Sequence, residues 1–257
     1  MRKLLVVVLS ITILAVFYNN SSADEITLGA DVWCPLNCEP DSNDPGYVVE
    51  LAKEIFAKSG HTVTYKIIPW ARAIKECREG RISGIIGAYV DDAPDFVFPE
   101  NEIGMIGNSI FTNIDNNWKY TGISSLSTIS LGVIRDYAYT EEIDQYIEKY
   151  YSEPNRIQIA SGKTPLENNI NKLNADRMDA LIEAEPVFWY TANKMGMKDK
   201  LRSAGKVGSP AKAYVAFSPS MPKSKEYAKI LSDGIEELRK SGKLLKICEK
   251  YGLKDWK

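Results

Sequence analysis

Between residues 46 and 89 the apolar positions change period three times. Val48, Leu51, Ala52, Ile55 and Phe56 recur at helical spacing, and the run stops at Ser59-Gly60, a usual helix exit. Thr62 to Ile68 is rich in strand-forming residues. Pro69 then breaks the chain, and Trp70 to Glu79 places Ala73, Ile74 and Cys77 on one face until Gly80 ends the helix. Ile82 to Tyr89 is mostly apolar, as a strand buried in a parallel sheet is. The order predicts a βαβαβ module. Ligands of such open sheets sit beyond the carboxyl ends of the strands, and Tyr47, Trp70, Arg72 and Tyr89 all fall at strand ends or helix starts.

Beyond Pro99 the same reading predicts a connecting strand over Ile103 to Phe111, a polar turn over Asn113 to Asn117 and a short buried strand over Leu131 to Ile134. Asp136 or Thr140 is placed to cap a helix carrying Ile143, Tyr146 and Ile147. Helices over Leu166 to Leu173 and Val187 to Met195 flank a strand over Ala180 to Glu183. This is a second α/β unit embedded in the first. The chain returns through Tyr214 to Phe217 and closes with helices over Tyr227 to Leu238 and Leu244 to Tyr251. Such an insertion creates two crossing segments, 100–111 and 208–217, which is what a hinge needs.

Several of these runs carry a family resemblance. Pro45-Gly46-Tyr47 with Glu50-Leu51-Ala52, then Trp70, Gly80-Arg81-Ile82 and Phe98-Pro99, resembles the first lobe of bacterial periplasmic solute-binding proteins of the polar amino-acid type, family 3 of the ABC-transporter substrate-binding proteins. Leu131-Gly132-Val133-Ile134, Asp176-Arg177-Met178-Asp179-Ala180 and Leu238-Arg239-Lys240-Ser241-Gly242-Lys243-Leu244 resemble that family's second-lobe strand, turn and C-terminal helix. The resemblance implies a two-lobed α/β protein of the type II periplasmic binding fold. Each lobe would be a mostly parallel sheet flanked by helices, with two hinge crossovers between them. Residues 24–110 and 212–257 would form lobe 1, and residues 111–211 lobe 2.

The same resemblance implies a monomer without cofactor that closes on a small polar, amino-acid-like ligand and delivers it to an ABC-type permease. One alternative keeps the fold as a soluble sensor for a membrane signalling protein. Another is an exported dehydratase acting on prephenate-like acids, which needs a carboxyl such as Glu183 raised in pKa to act as general acid.

The amino terminus bears on compartment. Arg2 and Lys3 precede an apolar run from Leu4 to Phe17, and Ser21-Ser22-Ala23 offers small residues for cleavage, so residues 1–23 read as a secretory signal peptide leading to the periplasm. No cysteine ends the apolar run, so a lipoprotein is not expected. Removing the leader takes away two basic residues and moves the formal charge from −2 to −4, against nucleic-acid binding. In an exported chain, Cys34 and Cys38 with Pro35 and Asn37 between them suit a disulfide-closed turn. Cys77 and Cys248, on apolar helix faces, read as buried thiols. His61 has no companion ligands for zinc, and no metal is expected.

Other motifs fail on inspection. Gly162-Lys163-Thr164 lacks the first glycine of a phosphate loop, with Ile157 in its place. Asp41 to Gly46 lacks calcium ligands at Pro45 and Ala52. Pro222 spoils the helical turn that Ser220-Met221-Pro222-Lys223 would need for acyl transfer. No catalytic residue is assigned.

In the family that the chain resembles, an arginine after the last strand of the first lobe clamps the ligand's α-carboxylate and a second-lobe aspartate takes its amine. This chain departs from both. No basic residue lies between Arg81 and Lys119, where the chain reads Asp91-Asp92-Ala93-Pro94-Asp95, and Ala184 stands at the amine position between Glu183 and Glu185. Arg72 and Arg135, at helix starts, are the candidates to hold an anion instead, against the commoner state of a loose surface ion pair. Trp33, Tyr47, Trp70 and Tyr89 are candidate pocket walls, with core packing as the competing role. Without an arginine clamp, Asp91, Asp92, Glu183 and Glu185 point toward a cationic ligand.

Overall fold

The structure is a computed structural model and describes residues 23–257, so the leader expected over 1–23 lies outside it except for Ala23. The first lobe begins as the apolar periods require, with β1 (Glu25–Ala30), α1 (Tyr47–Lys58), β2 (Thr62–Ile67), α2 (Trp70–Arg78) and β3 (Gly84–Ala88). After β4 (Gly104–Asn113) come β5 (Leu131–Ile134), α3 (Glu141–Tyr150), β6 (Ile157–Ala160), α4 (Pro165–Asn174), β7 (Ala180–Ala184) and α5 (Glu185–Lys194). The chain then runs through β8 (Leu201–Phe217), α6 (Ser224–Lys240) and α7 (Lys243–Lys250).

The strands form one curled sheet in the order β2-β1-β3-β8-β4-β7-β5-β6. Each lobe contributes a parallel trio: β1 pairs with β2 and β3, and β5 with β6 and β7. The strands β3, β5 and β7 are buried along their whole length, as central strands covered on both faces must be. Between the trios lie β4 and β8, antiparallel to their neighbours and paired from Gly104 opposite Ala213 to Asn113 opposite Leu201. The fold is therefore the two-lobed type II arrangement, with two strands crossing between lobes. The β4–β8 ladder breaks between Ile106 and Asn108, where Gly208, Ser209 and Pro210 bulge out and Gly208 takes φ +61°. Missing rungs at the crossing leave it free to bend.

Three strands differ from the sequence reading. The first strand of the βαβαβ module, β1, was not located, β6 was not expected, and β8 begins at Leu201 rather than near Tyr214. Buried positions in the first half of β8 are Leu201, Ala204 and Val207, a spacing of three produced by the register shift opposite Ile110 and Phe111. A strand without strict alternation has no period-2 signature. Of the two cap candidates, Thr140 is the N-cap of α3, its Oγ1 accepting from Ile143 N at 3.4 Å, whereas Asp136 is a turn residue at φ +59°.

Cys34 and Cys38 are joined by a disulfide, and Cys77 and Cys248 are buried free thiols. The bridged loop seats the start of α1: Tyr47 N donates to Pro35 O and Val48 N to Leu36 O, both at 3.0 Å. Two of the helix's orphan amides are thereby satisfied. His61 is buried at the start of β2, its Nδ1 accepting from Asp24 N at 3.2 Å. Among the described residues no helix is long and apolar enough to cross a membrane.

Gly46 fixes the approach of this loop. Its φ of +107° is costly for any side chain, and a Cβ there would overlap the Leu36 carbonyl. Gly46→Ala should therefore lower unfolding stability by more than about 2 kcal/mol in urea titration. An unchanged midpoint and slope would contradict this account of the loop.

Candidate functional site

The carboxyl ends of β1, β3, β5 and β7 converge on the cleft between the lobes, the place where open α/β sheets collect ligand groups. From the first lobe come Asp31 and Trp33 after β1, Trp70 at the start of α2, Gly87 in β3, and Tyr89 and Asp92 after it. From the second come Tyr137, Ala138 and Tyr139 after β5, and Glu183 near the end of β7, with Asn108 of β4 between the lobes.

The strand geometry explains several of these placements. At Gly87 the β3–β8 register shifts, and φ there is +90°. A Cβ on Gly87 would stand 3.0 Å from the Trp33 ring, so the glycine lets the indole lie against the strand. The disulfide loop holds Trp33 from the other side, because Trp33 N donates to Asn37 O at 2.9 Å. Asn37 Nδ2 in turn donates to Asp31 O at 2.7 Å and to Tyr65 Oη at 2.9 Å.

Across the cleft, acids meet donors from the opposite lobe. Trp33 Nε1 donates to Glu183 Oε1 at 3.0 Å, Tyr137 Oη to Asp31 Oδ2 at 2.9 Å, and Ala138 N to Asp92 Oδ1 at 3.2 Å. Ala184 N also donates to Glu183 Oε1, and Tyr89 N to Asp92 Oδ2, each at 2.7 Å. Val32 N adds a backbone bond to Lys163 O, and the Trp70 and Tyr137 rings meet edge to face. The cleft is closed in this structure, with a remaining cavity of ≈ 20 Å³, room for about one water.

Asp31 is 2 % exposed and Glu183 1 %, while Asp92 is half-buried. No arginine or lysine is among the residues lining the cavity. Loss of water raises the Asp31 carboxyl to about 8, an effect that the Tyr137 hydrogen bond opposes and the nearby Glu183 charge reinforces. Burial likewise lifts Asp92 and Glu183 to about 7, against the hydrogen bonds that each accepts. Tyr137 and Tyr139 are pushed well above their ordinary range by the same desolvation, with the neighbouring acids adding to it.

Of the residues singled out in the sequence, Trp33, Trp70, Tyr89 and Glu183 are brought together here. Tyr47 lies elsewhere, in the core, donating to Ile103 O at 2.8 Å beside Tyr251 and Trp256. The Arg72 side chain is 71 % exposed and pairs with Glu76 at 2.6 Å on its own helix. Arg135 follows β5 and is exposed, donating to Tyr151 Oη at 2.8 Å in a separate pocket that Asp91 and Asp92 also line. Neither arginine lines the cavity. Asp91 is exposed and Glu185 half-buried, and neither lines the cavity. Sequence reasoning did not single out Asp31, Asn108, Tyr137 or Tyr139. The available signal for Asp31 was an acid directly after the alternating Ile26, Leu28 and Ala30 of β1.

Comparison with known proteins follows the same lines. A family model described as bacterial extracellular solute-binding proteins, family 3, matches residues 26–254. No curated protein matches the chain. Among solved structures, a histidine kinase sensor domain with similarity to periplasmic binding proteins superposes with a TM-score of 0.74 at 21% identity, covering 90% of this chain and 97% of its own. An ancestral arginine-binding protein bound to arginine gives 0.69 at 20% identity, over 88% and 97% of the two chains. An amino acid ABC transporter substrate-binding protein from Streptococcus pneumoniae bound to L-arginine gives 0.69 at 16% identity, over 88% and 94%.

The raised carboxyls link closure to pH. With the cleft open to water, Asp31, Asp92 and Glu183 regain the ordinary carboxyl range of about 4. Between that value and about 7 to 8 the closed form holds protons that the open form has lost. The preference for the closed empty form is therefore full below about pH 4 and lost as pH rises through 7 to 8. Tyr89, Tyr137, Tyr139, Asp91 and the more distant Asp144 also face these acids; the nearest cation, Arg135, shares an adjoining pocket with Asp92 but bonds Tyr151 instead. Small-angle scattering of ligand-free protein should show a radius of gyration that grows between pH 5 and 9, with a weaker response in Asp31→Asn. A constant radius over that range would contradict the linkage.

Proposed function

The chain belongs to the bacterial extracellular solute-binding proteins of family 3, and on that premise we propose that it is exported to the periplasm, closes on a small polar, amino-acid-like solute and delivers it to an ABC-type permease. The moving bodies are residues 24–110 with 212–257, and residues 111–211, acting within a monomer. The observation that carries this reading is the cleft itself. Polar groups from both lobes meet there across the two crossing strands, so a bound solute is contacted from both sides and favours the closed arrangement.

A second reading, the soluble sensor for a membrane signalling protein, is supported by the likeness to a histidine kinase sensor domain. Both readings share the closing step and differ in what receives the closed form. The dehydratase reading is weaker. Glu183 does have the raised carboxyl that a general acid needs. A prephenate-like acid, however, would bring its negative charges against Asp31, Asp92 and Glu183 in a cavity with no lining cation. The family and its structural relatives are binding proteins.

A thermal-shift screen of amino acids, amines, organic acids and small sugars tests the reading. A true ligand at 100 times its dissociation constant adds about 2.7 kcal/mol, which raises the midpoint by roughly 5–10 °C for a chain of this size. The same compound should reduce the radius of gyration at pH 8. A thermal shift with no compaction would argue against closure, and no shift with any small solute would argue against solute binding altogether.

A further inference from the structure

The hydrogen bonds within the closed cleft indicate what a solute has to offer. Each of the three acids in the cleft accepts from a neutral donor of the opposite lobe: Trp33 Nε1, Tyr137 Oη or Ala138 N. These donors occupy acceptor positions that a ligand would take over when the lobes close around it. Glu183 Oε2 is fully buried, lines the cavity and has no hydrogen-bond partner at all. A buried acceptor in that state gains a full hydrogen bond from any incoming N–H.

Charge makes the requirement sharper. The lining holds three carboxyls, five aromatic rings (Trp33, Trp70, Tyr89, Tyr137 and Tyr139) and no lysine or arginine. Aromatic faces beside carboxylates favour a cation twice over. The donors left for an acceptor group include Trp70 Nε1 and Tyr89 Oη, both buried and unpartnered, with the Asn108 amide and the Tyr139 hydroxyl also in the lining, and all four are neutral. They suit a hydroxyl or carbonyl, whereas a buried carboxylate needs a charged partner. Among the described residues no three His, Cys, Asp or Glu side chains are gathered as a metal-holding group.

We propose, resting on the solute-binding reading, that the ligand is an organic cation carrying N–H donors, an alkylamine or alkylguanidine, and that it lacks the α-carboxylate of an amino acid. Its ammonium or guanidinium group lies between Glu183 and Asp31, donates to Glu183 Oε2, and displaces Tyr137 from Asp31. Trp33 and Trp70 flank it.

Pairs of compounds that differ in the carboxylate test this directly: agmatine against arginine, and 1,4-diaminobutane against ornithine, by calorimetry at pH 8 with Trp fluorescence as a second readout. The decarboxylated member of at least one pair should bind at least about ten-fold more tightly than its amino acid. Glu183→Gln and Asp31→Asn, each close in shape to the native residue, should weaken that binding by about ten-fold or more with unchanged circular dichroism. Arginine or ornithine binding as tightly as the matching amine, or full affinity in both variants, would overturn the inference. Closure on a zwitterionic or anionic solute with no response to either amine would also overturn it while leaving the solute-binding reading in place.

Discussion

Burial of acids without a cation is the constraint on which the site depends. Asp31 and Glu183 are almost wholly removed from water, Asp92 partly, and no lysine or arginine lines the space between them. An unpaired carboxylate in such surroundings costs several kcal/mol, and the closed empty form meets that cost by holding protons and by recruiting donors across the cleft. Closure, protonation and ligand charge are consequently one problem. A positive ligand resolves it by ionising the acids it touches. In its absence, rising pH is expected to favour separation of the lobes.

The rest of the fold serves to hold those acids in register. Parallel strands of both lobes end at the cleft, so residues just beyond β1, β3 and β5, and near the end of β7, face one another across it. The Cys34–Cys38 loop caps α1 on one side and presents Trp33 to Glu183 on the other, coupling the first helix of the chain to the binding cavity. Gly87 removes the side chain that would push Trp33 away. β4 and β8 join the two halves, and their ladder lacks rungs at Gly208 to Pro210, where a crossing can bend most easily.

Much of this was legible in the sequence wherever periodicity was strong. The helices carrying Val48 to Phe56 and Tyr227 to Leu238, and the strands at Leu131 to Ile134 and Ala180 to Glu183, lie within a residue or two of their expected spans or contain them. The first half of β8 was hidden because its bulges replace alternation with a spacing of three. In the site Trp70 and Tyr89 carried a signal through their positions at a helix start and a strand end, and Glu183 through its place beside Ala184 at the end of the expected Ala180 to Glu183 strand. Direction was the missing information. Glu183 and Glu185 are two residues apart, and so were equivalent in the sequence. The former belongs to β7 and lines the cleft, whereas the latter begins α5 and does not. Asp91 and Asp92 divide in the same way within one tight turn. Arg72 lies in the first turn of α2 as expected, whereas Arg135 directly follows β5 and precedes the Thr140 cap of α3 by a whole turn segment; their side chains bond Glu76 and Tyr151 rather than entering the cavity.

Proton counting on binding tests the central claim most directly. Calorimetric titration of agmatine at pH 7, repeated in buffers of different ionisation enthalpy, yields the number of protons exchanged with the cleft. Agmatine is fully charged at that pH, so any exchange belongs to the protein. Near their shifted pKa values Asp31, Asp92 and Glu183 retain protons that a cation must expel. The expected result is net release of protons on binding, diminished in Glu183→Gln and in Asp31→Asn. Binding with no proton exchange, or with proton uptake, would contradict the account.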